Sequence, residues 1–222
     1  MSTVLIIGAS RGIGLELTRQ YLEAGERVIA TARNDADLAR LQTMGAETLR
    51  VDVADATSVS GLAWQLDGEK LDVALYVAGV MDRAGATTPP TQTDFDRVMH
   101  ANVLGAMQAI PQVLPWVENA SGVFGVLSSS MSQIGSVPAS NAWLYRVSKA
   151  ALNMALASAR FDYPKARLVA LDPGWVQTDM GGQAAALTVE ESVTGLRHVL
   201  HNISTEDNGR LIHFDGRRAA NW

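Results

Sequence analysis

Two segments of this sequence carry residue types whose spacing could do chemistry. Tyr145-Arg146-Val147-Ser148-Lys149 opens a stretch of strong helical periodicity, and residues four apart on a helix project from one face. A phenol and an ammonium can therefore enter one site, where the cation favours the phenolate. Free tyrosine titrates near ~10, so general acid/base work around neutrality requires lowering it by up to ~3 units, roughly 4 kcal/mol. By itself such a pair is also an ordinary amphipathic-helix feature. The second segment changes that reading.

Gly8-Ala9-Ser10-Arg11-Gly12-Ile13-Gly14 follows an apolar run and opens a helical one. Its glycines allow a tight turn and let backbone approach a pyrophosphate at a helix N-terminus. Gly8, Ser10, Arg11, Gly12, Ile13 and Gly14 are thus candidate dinucleotide contacts, although the spacing differs from Gly-x-Gly-x-x-Gly. In such sites an acidic residue about 20 positions on holds the adenine ribose, whereas an arginine accommodates a 2′-phosphate. Here the next strand ends in Thr31-Ala32-Arg33. Arg33 and Arg11 would supply two cations to that phosphate. NADP(H) is therefore the expected cofactor, with NAD(H) the alternative through Asp35 or Asp37. An oxidised nicotinamide ring and Lys149 together would supply the positive charge that Tyr145 requires.

The rest of the chain has to position these groups. Short β-branched runs alternate with longer helical segments, the pattern of repeated βαβ units. Strands are expected at 4–7, 27–30, 47–51, 73–77, 123–127, 168–171 and 210–214, each buried on both faces. Helices are expected at 12–24, 36–44, 56–64, 94–117, 145–160 and 189–202. Pro111 and Pro115 predict a kinked or broken carboxyl half for the fourth helix. The fold is expected to be α/β, a single doubly wound, Rossmann-type domain over residues 1–222 with a mainly parallel seven-stranded sheet flanked by helices. The loose stretches 81–92 and 131–141 fall at strand ends and read as site walls.

Composition narrows the chemistry further. The 222 residues are 47% hydrophobic and contain no cysteine, which excludes disulfide scaffolds and thiol catalysis. Eighteen basic against 23 acidic residues give a net charge of −5 with no basic run, so neither nucleic acid nor a membrane surface is an expected partner. No signal-type or membrane-length apolar segment occurs, and a cytoplasmic location is expected. His198 and His201, three apart on a helix, lack the further ligands of a metal site, and none is expected.

These motifs in this order resemble the short-chain dehydrogenase/reductase family over nearly the whole chain. Within it, Pro173-Gly174-Trp175-Val176-Gln177-Thr178-Asp179-Met180-Gly181-Gly182 and the Phe214-Asp215-Gly216…Asn221-Trp222 ending are most similar to the compact C-factor and sniffer-type carbonyl reductase branch. The resemblance implies that Asp52 and Val53 border the adenine. It places Ala78 and Gly79, after the fourth strand, beside the cofactor, and has Pro173, Gly174, Val176 and Thr178 hold the nicotinamide carboxamide. Asn102, Ser129, Tyr145 and Lys149 become the catalytic four, with Asn102, Tyr145 and Lys149 also touching cofactor.

The catalytic serine lies among Ser128, Ser129, Ser130 and Ser132. The family's strand-end Ser-Ser pattern selects Ser129, whereas a spacing of 13 residues before the tyrosine selects Ser132. Strand-end geometry favours Ser129. The implied reaction is NADP(H)-dependent hydride transfer to or from a carbonyl or alcohol (ketone, aldehyde or quinone). Ser129 binds the carbonyl, Tyr145 is general acid/base, Lys149 lowers the tyrosine pKa and holds the ribose, and Asn102 positions a relay water. Two positions depart from the family: Ile7 stands for a usual threonine and Tyr76-Val77 for asparagines, so their hydrogen bonds must be replaced or lost.

The short stretch 179–188 implies a small lid and a permissive site. Family members commonly pair through the helices at 94–117 and 145–160, which implies a homo-oligomer, dimer or tetramer, with a monomer as the alternative. A non-catalytic NADP(H) sensor is the competing function. Loss of Tyr or Lys from the pair would mark it, and both are present.

Overall fold

The computed structural model describes residues 1–220 and 222; Asn221, in the terminal motif, lies outside the described residues. Seven strands, β1 (Thr3–Ile7), β2 (Arg27–Ala32), β3 (Glu47–Arg50), β4 (Val73–Tyr76), β5 (Val123–Leu127), β6 (Arg167–Asp172) and β7 (Arg210–His213), form one sheet. Every pairing is parallel and the order is β3-β2-β1-β4-β5-β6-β7. The order reverses between β1 and β4, which opens a crevice at their carboxyl ends.

Period-2 alternation sorts the strand residues onto two cores. Leu5, Ile7, Tyr76, Phe124 and Ala170 face one layer, packed under α3 (Ala56–Ser60), α4 (Leu62–Gln65), α6 (Gly105–Asn119) and α7 (Trp143–Ala159). Val4, Ile6, Val28, Val169 and Ile212 face the other, under α1 (Gly12–Glu23), α2 (Asp35–Thr43) and α8 (Val189–His201). This explains the continuous apolar runs of the inner strands. β3 differs from expectation: it is an edge strand with Glu47 and Arg50 exposed, charges that discourage pairing with another chain.

Two helices depart from the sequence pattern. The one expected at 56–64 divides at Gly61 into α3 and α4. The expected break at Pro111 and Pro115 does not occur, since α6 runs through both. Met107, Pro111 and Pro115 lie on an exposed stripe of the helix. The interruption lies upstream. Between α5 (Gln92–Met99) and α6, His100–Leu104 form a π turn, a feature that often marks functional sites.

Gly105 lets α6 start against the sheet. A Cβ there would stand 2.5 Å from the Val53 carbonyl oxygen and 2.6 Å from the Tyr76 hydroxyl. Gly105→Ala is therefore expected to destabilise the protein by about 2 kcal/mol through overpacking, a fall in Tm of about 4–8 °C. A thermal melt within about 1 °C of wild type would show that the backbone there gives way freely.

Candidate active site

The β1–α1 turn is built for an anion. Gly8 and Gly12 take φ of 95° and 51°, a region glycine enters without Cβ strain. A Cβ on Gly8 would meet Ala78 at 2.7 Å, and one on Gly14 would meet the Gly8 carbonyl oxygen at 2.1 Å. No side chain caps α1, whereas Asn34, Asp55, Thr91 and Thr188 cap α2, α3, α5 and α8. The α1 N-terminus thus presents free N–H groups to a phosphate. The residues present fit a dinucleotide pyrophosphate.

Backbone bonds replace those expected of the absent threonine and asparagines. Val77 and Ala78 N–H donate to the Ile7 carbonyl at 2.9 and 3.0 Å, and Gly8 N–H donates to Thr31 Oγ1 at 3.1 Å. Tyr76 instead sends its hydroxyl to the Ala101 carbonyl at 2.7 Å, bracing the π turn.

The cations are arranged differently from the sequence expectation. Arg11 pairs with Asp179 at 3.1 Å, across the mouth of the turn rather than toward Arg33. Arg33, just after β2, is exposed, with no ion-pair partner for its guanidinium among the described residues. Arg40 of α2 was not signalled by the sequence motifs, yet it donates to the Ser10 carbonyl and pairs with Asp37. Asp35 pairs with Arg50, so both acidic alternatives for the ribose are engaged. Asp52 accepts from Ala54 N–H at 3.0 Å and organises the loop that brings Val53 to α6.

Asn102, in the π turn, is fully buried. Its Oδ1 accepts from Val80 N–H and its Nδ2 donates to the Val80 carbonyl, both at 2.8 Å, and Nδ2 also donates to Ser148 Oγ at 2.9 Å. The carboxamide thereby fastens the segment after Gly79 to α7. With both N–H groups committed, a relay water could take only an oxygen acceptor from this residue.

Tyr145 and Lys149 lie buried on one face of α7, with Lys149 Nζ 5.5 Å from the Tyr145 ring centre. Lys149 Nζ donates to the Leu127 carbonyl at 2.7 Å. Burial pulls its pKa down to about 8. Tyr145 is pushed upward, by burial first and the Asp172 carboxylate second, while a hydrogen bond with Ser129 acts in the opposite direction. The expected lowering of the tyrosine is therefore absent from the ligand-free protein. Its phenol is held protonated, the form a proton donor needs.

Among the serines, Ser129 is the one that meets the Tyr145 side chain. Ser132 is turned away: its Oγ donates to the Ser129 carbonyl at 2.6 Å and accepts from Asn153 at 2.8 Å. Asp172 and His213 also escaped the sequence reading. They face each other at 2.7 Å from the ends of β6 and β7, and Asp172 Oδ1 accepts from Gly174 N–H at 3.2 Å. Forty-one residues of separation left no local signal for that pair.

The segment Pro173–Thr178 returns to the glycine turn, where a Cβ on Gly12 would lie 3.3 Å from Thr178 Cγ2. The short lid beyond it bonds to itself: Gln177 Nε2 donates to the Ala185 carbonyl at 3.0 Å and Trp175 Nε1 to the Gly181 carbonyl at 2.9 Å. Arg83 ties it across to the Met180 carbonyl. Trp175 remains mostly exposed at the cleft edge and Trp143 is half-buried at the start of α7, beside Tyr145. Trp64, by contrast, projects into solvent. Among the described residues, no helix is long and apolar enough to cross a membrane.

Such a fold and site define a dinucleotide-binding oxidoreductase of the doubly wound class. The family model described as short chain dehydrogenase matches residues 2–187, and the chain belongs to the short-chain dehydrogenase/reductase family. It is 35% identical to 1-hydroxy-2-glutathionyl-2-methyl-3-butene dehydrogenase of Rhodococcus sp. (strain AD45), over 97% of this chain and 98% of that one. Among solved structures it resembles the carbonyl reductase Sniffer of D. melanogaster, with a TM-score of 0.90, 27% identity and all of both chains covered. It also resembles a short-chain dehydrogenase/reductase from Burkholderia multivorans with bound NADP, with a TM-score of 0.87 and 28% identity over 100% of this chain and 99% of that one.

Proposed function

We propose that this oxidoreductase interconverts a carbonyl compound and its alcohol using NADP(H), with ketones, aldehydes or quinones as the substrate class. The observation that carries the proposal is the placement of Tyr145 and Lys149 on one face of α7, with Nζ 5.5 Å from the ring centre, where the Ser129 hydroxyl at the end of β5 acts on the Tyr145 phenol. When bound, the nicotinamide supplies or takes up the hydride. Ser129 donates a hydrogen bond to the substrate oxygen and orients it. Tyr145, kept protonated by its surroundings, delivers the proton to that oxygen; in the oxidative direction it must accept one. Lys149 would hold the ribose hydroxyls of the bound cofactor, and it places a positive charge beside the phenol. Asn102 keeps the floor of the site rigid and offers an oxygen acceptor to a relay water. The free α1 N-terminus, Gly8, Ser10, Gly12, Ile13 and Gly14 receive the pyrophosphate. Val53 and Asp52 flank the adenine, and Ala78, Gly79, Pro173, Gly174, Val176 and Thr178 complete the nicotinamide side.

Preference for the phosphorylated cofactor follows from the cation arrangement at the β2 end. Arg33 has no ion-pair partner among the described residues, Arg40 stands over Ser10, and Asp35 and Asp37 are held in ion pairs. Loss of one charge-assisted phosphate contact is worth about 1.5–3 kcal/mol. Arg33→Ala is thus expected to weaken NADPH binding about ten- to hundredfold and to leave NADH binding nearly unchanged. Fluorescence titration of both cofactors checks this, and wild-type protein that binds NADH as tightly as NADPH would refute the preference.

The short, self-bonded lid and the exposed Ile134, Val137 and Trp175 near the strand ends support a permissive, partly apolar substrate cleft. Exposed Leu104 in the π turn, Met107 on α6, Val147 and Met154 on α7 and Phe161 just beyond it support self-association through those helices. The lack of cysteine and, among the described residues, of an apolar spanning helix is compatible with the proposed cytoplasmic location.

A further inference from the structure

Asn153 lies on α7 two turns beyond Tyr145. It is buried to 3% exposure and takes no part in the chemistry above. Its carboxamide joins two points of the chain that leaves β5. Ser128 Oγ donates to Asn153 Oδ1 at 2.6 Å, and Asn153 Nδ2 donates to Ser132 Oγ at 2.8 Å. Ser132 Oγ in turn donates to the Ser129 carbonyl at 2.6 Å, and Ser132 N–H donates to the same oxygen at 3.0 Å.

The donor and acceptor assignment is forced by this connectivity. The Ser132 hydroxyl hydrogen is committed to Ser129, so that hydroxyl must receive from Asn153, and Ser128 must then donate to the carboxamide oxygen. An amide turned the other way would set an oxygen against a hydroxyl with no hydrogen left to give. The residues on either side of Ser129 are therefore both referenced to the helix that carries Tyr145.

We propose that Asn153 is a positioning residue that, through Ser128 and Ser132, fixes Ser129 against Tyr145 for carbonyl binding. The inference rests on the reading of Ser129 and Tyr145 given under Proposed function. Asparagine suits the post because it donates and accepts at once. Aspartate, of nearly equal size, has no donor, so Ser132 would have to withdraw its hydrogen from the Ser129 carbonyl to bond it. A recess beside the network, bounded by Ile134, Met154 and Trp222, with Ser132 and Asn153 in its wall, leaves room for one added methyl at position 132.

The test compares Ser129→Ala, Asn153→Asp, Ser132→Ala, Ser132→Thr and the double variant Ser129→Ala/Asn153→Asp in kcat, KM and NADPH binding. Misplacing a reacting group by about 1 Å lowers rate about a hundredfold. Asn153→Asp and Ser132→Ala should each lower kcat about ten- to hundredfold with the NADPH Kd unchanged. Ser132→Thr should restore most of the rate. In the Ser129→Ala background, Asn153→Asp should add no further loss, because the group it positions is gone.

Near-wild-type kcat in Asn153→Asp and Ser132→Ala beside an impaired Ser129→Ala would overturn the proposal alone. Losses that multiply in the double variant would do the same, since they would indicate a general structural effect. Full activity in Ser129→Ala would overturn the reading of Ser129 and the proposal with it. If Asn153→Asp does not fold, the Ser132→Ala and Ser132→Thr pair decides between hydroxyl positioning and packing.

Discussion

Replacing Tyr145 with Phe is expected to lower kcat for NADPH-dependent carbonyl reduction by about 10²–10⁴-fold, the range of a positioned general acid. NADPH binding should change little, because the exchange removes one oxygen from an otherwise unchanged buried ring. The environment of that oxygen gives the effect its direction. Burial and the Asp172 carboxylate both favour the neutral phenol, so the group is loaded with its proton at neutral pH. Reduction should consequently be flat through neutrality and decline only on the alkaline side. Alcohol oxidation, which needs the phenolate, should rise with pH. Steady-state rates in both directions across pH, with the phenylalanine variant as reference, check the assignment; undiminished reduction by that variant would refute it.

The second large effect is in stability. Lys149 is a wholly buried ammonium whose hydrogen bond goes to a neutral carbonyl, and its pKa falls from 10.5 to about 8. A buried lysine with a depressed pKa opposes folding wherever the folded protein must keep it charged. The unfolded chain holds the extra proton between pH 8 and 10.5, so stability rises with pH through that window. Below pH 8 the opposition is complete, and the shift from 10.5 to about 8 corresponds to about 3 kcal/mol.

Lys149→Met removes that opposition and leaves the Leu127 carbonyl without its donor, a loss of about 1 kcal/mol. The ligand-free variant is thus expected to be more stable than wild type by about 2 kcal/mol at pH 7, with its advantage shrinking toward pH 10. Its turnover should nevertheless fall by about a hundredfold or more, because the charge beside the phenol is gone. Thermal melts of both apo proteins at pH 7 and pH 10 make the comparison. A variant less stable than wild type at pH 7 would show that the ammonium is better compensated than its surroundings indicate.

Together these two results would describe a site that holds a destabilising group because the reaction needs it, a common bargain at active sites. The same contrast explains what could be read from the chain alone. Alternating apolar runs and helical periods place the inner strands to within one or two residues, since burial on both sheet faces makes their interiors almost wholly apolar, Thr31 of β2 being the exception. The glycine turn is legible because its backbone demands no Cβ at Gly8, Gly12 and Gly14. The Tyr145–Lys149 pair is legible because helical geometry fixes their common face.

What stayed hidden depends on partners distant in sequence or on backbone choices with no compositional mark. The π turn at His100–Leu104 inserts a wider turn without any glycine or proline inside it, while the prolines that do occur, Pro111 and Pro115, sit harmlessly on a water-facing stripe. Nothing local to Arg11 signals its exposed ion pair with Asp179, 168 residues away. The choice between Ser129 and Ser132 could not be made by spacing alone. In the folded chain the Ser132 hydroxyl donates to the Ser129 carbonyl and accepts from Asn153, while Ser129 acts on the Tyr145 phenol.

The most direct test of the central claim is to follow the hydride. Purified protein is incubated with NADPH deuterated at C4 of the nicotinamide, in its two stereochemical forms, and a panel of aldehydes, ketones and quinones. The products are then read by mass spectrometry and NMR. From one of the two forms, a single deuterium is expected at the new carbinol carbon of an aldehyde or ketone product, with the Tyr145→Phe variant giving almost none. NADPH that binds yet delivers no label to any carbonyl in the panel, or labelled product formed equally well by the variant, would contradict the claim.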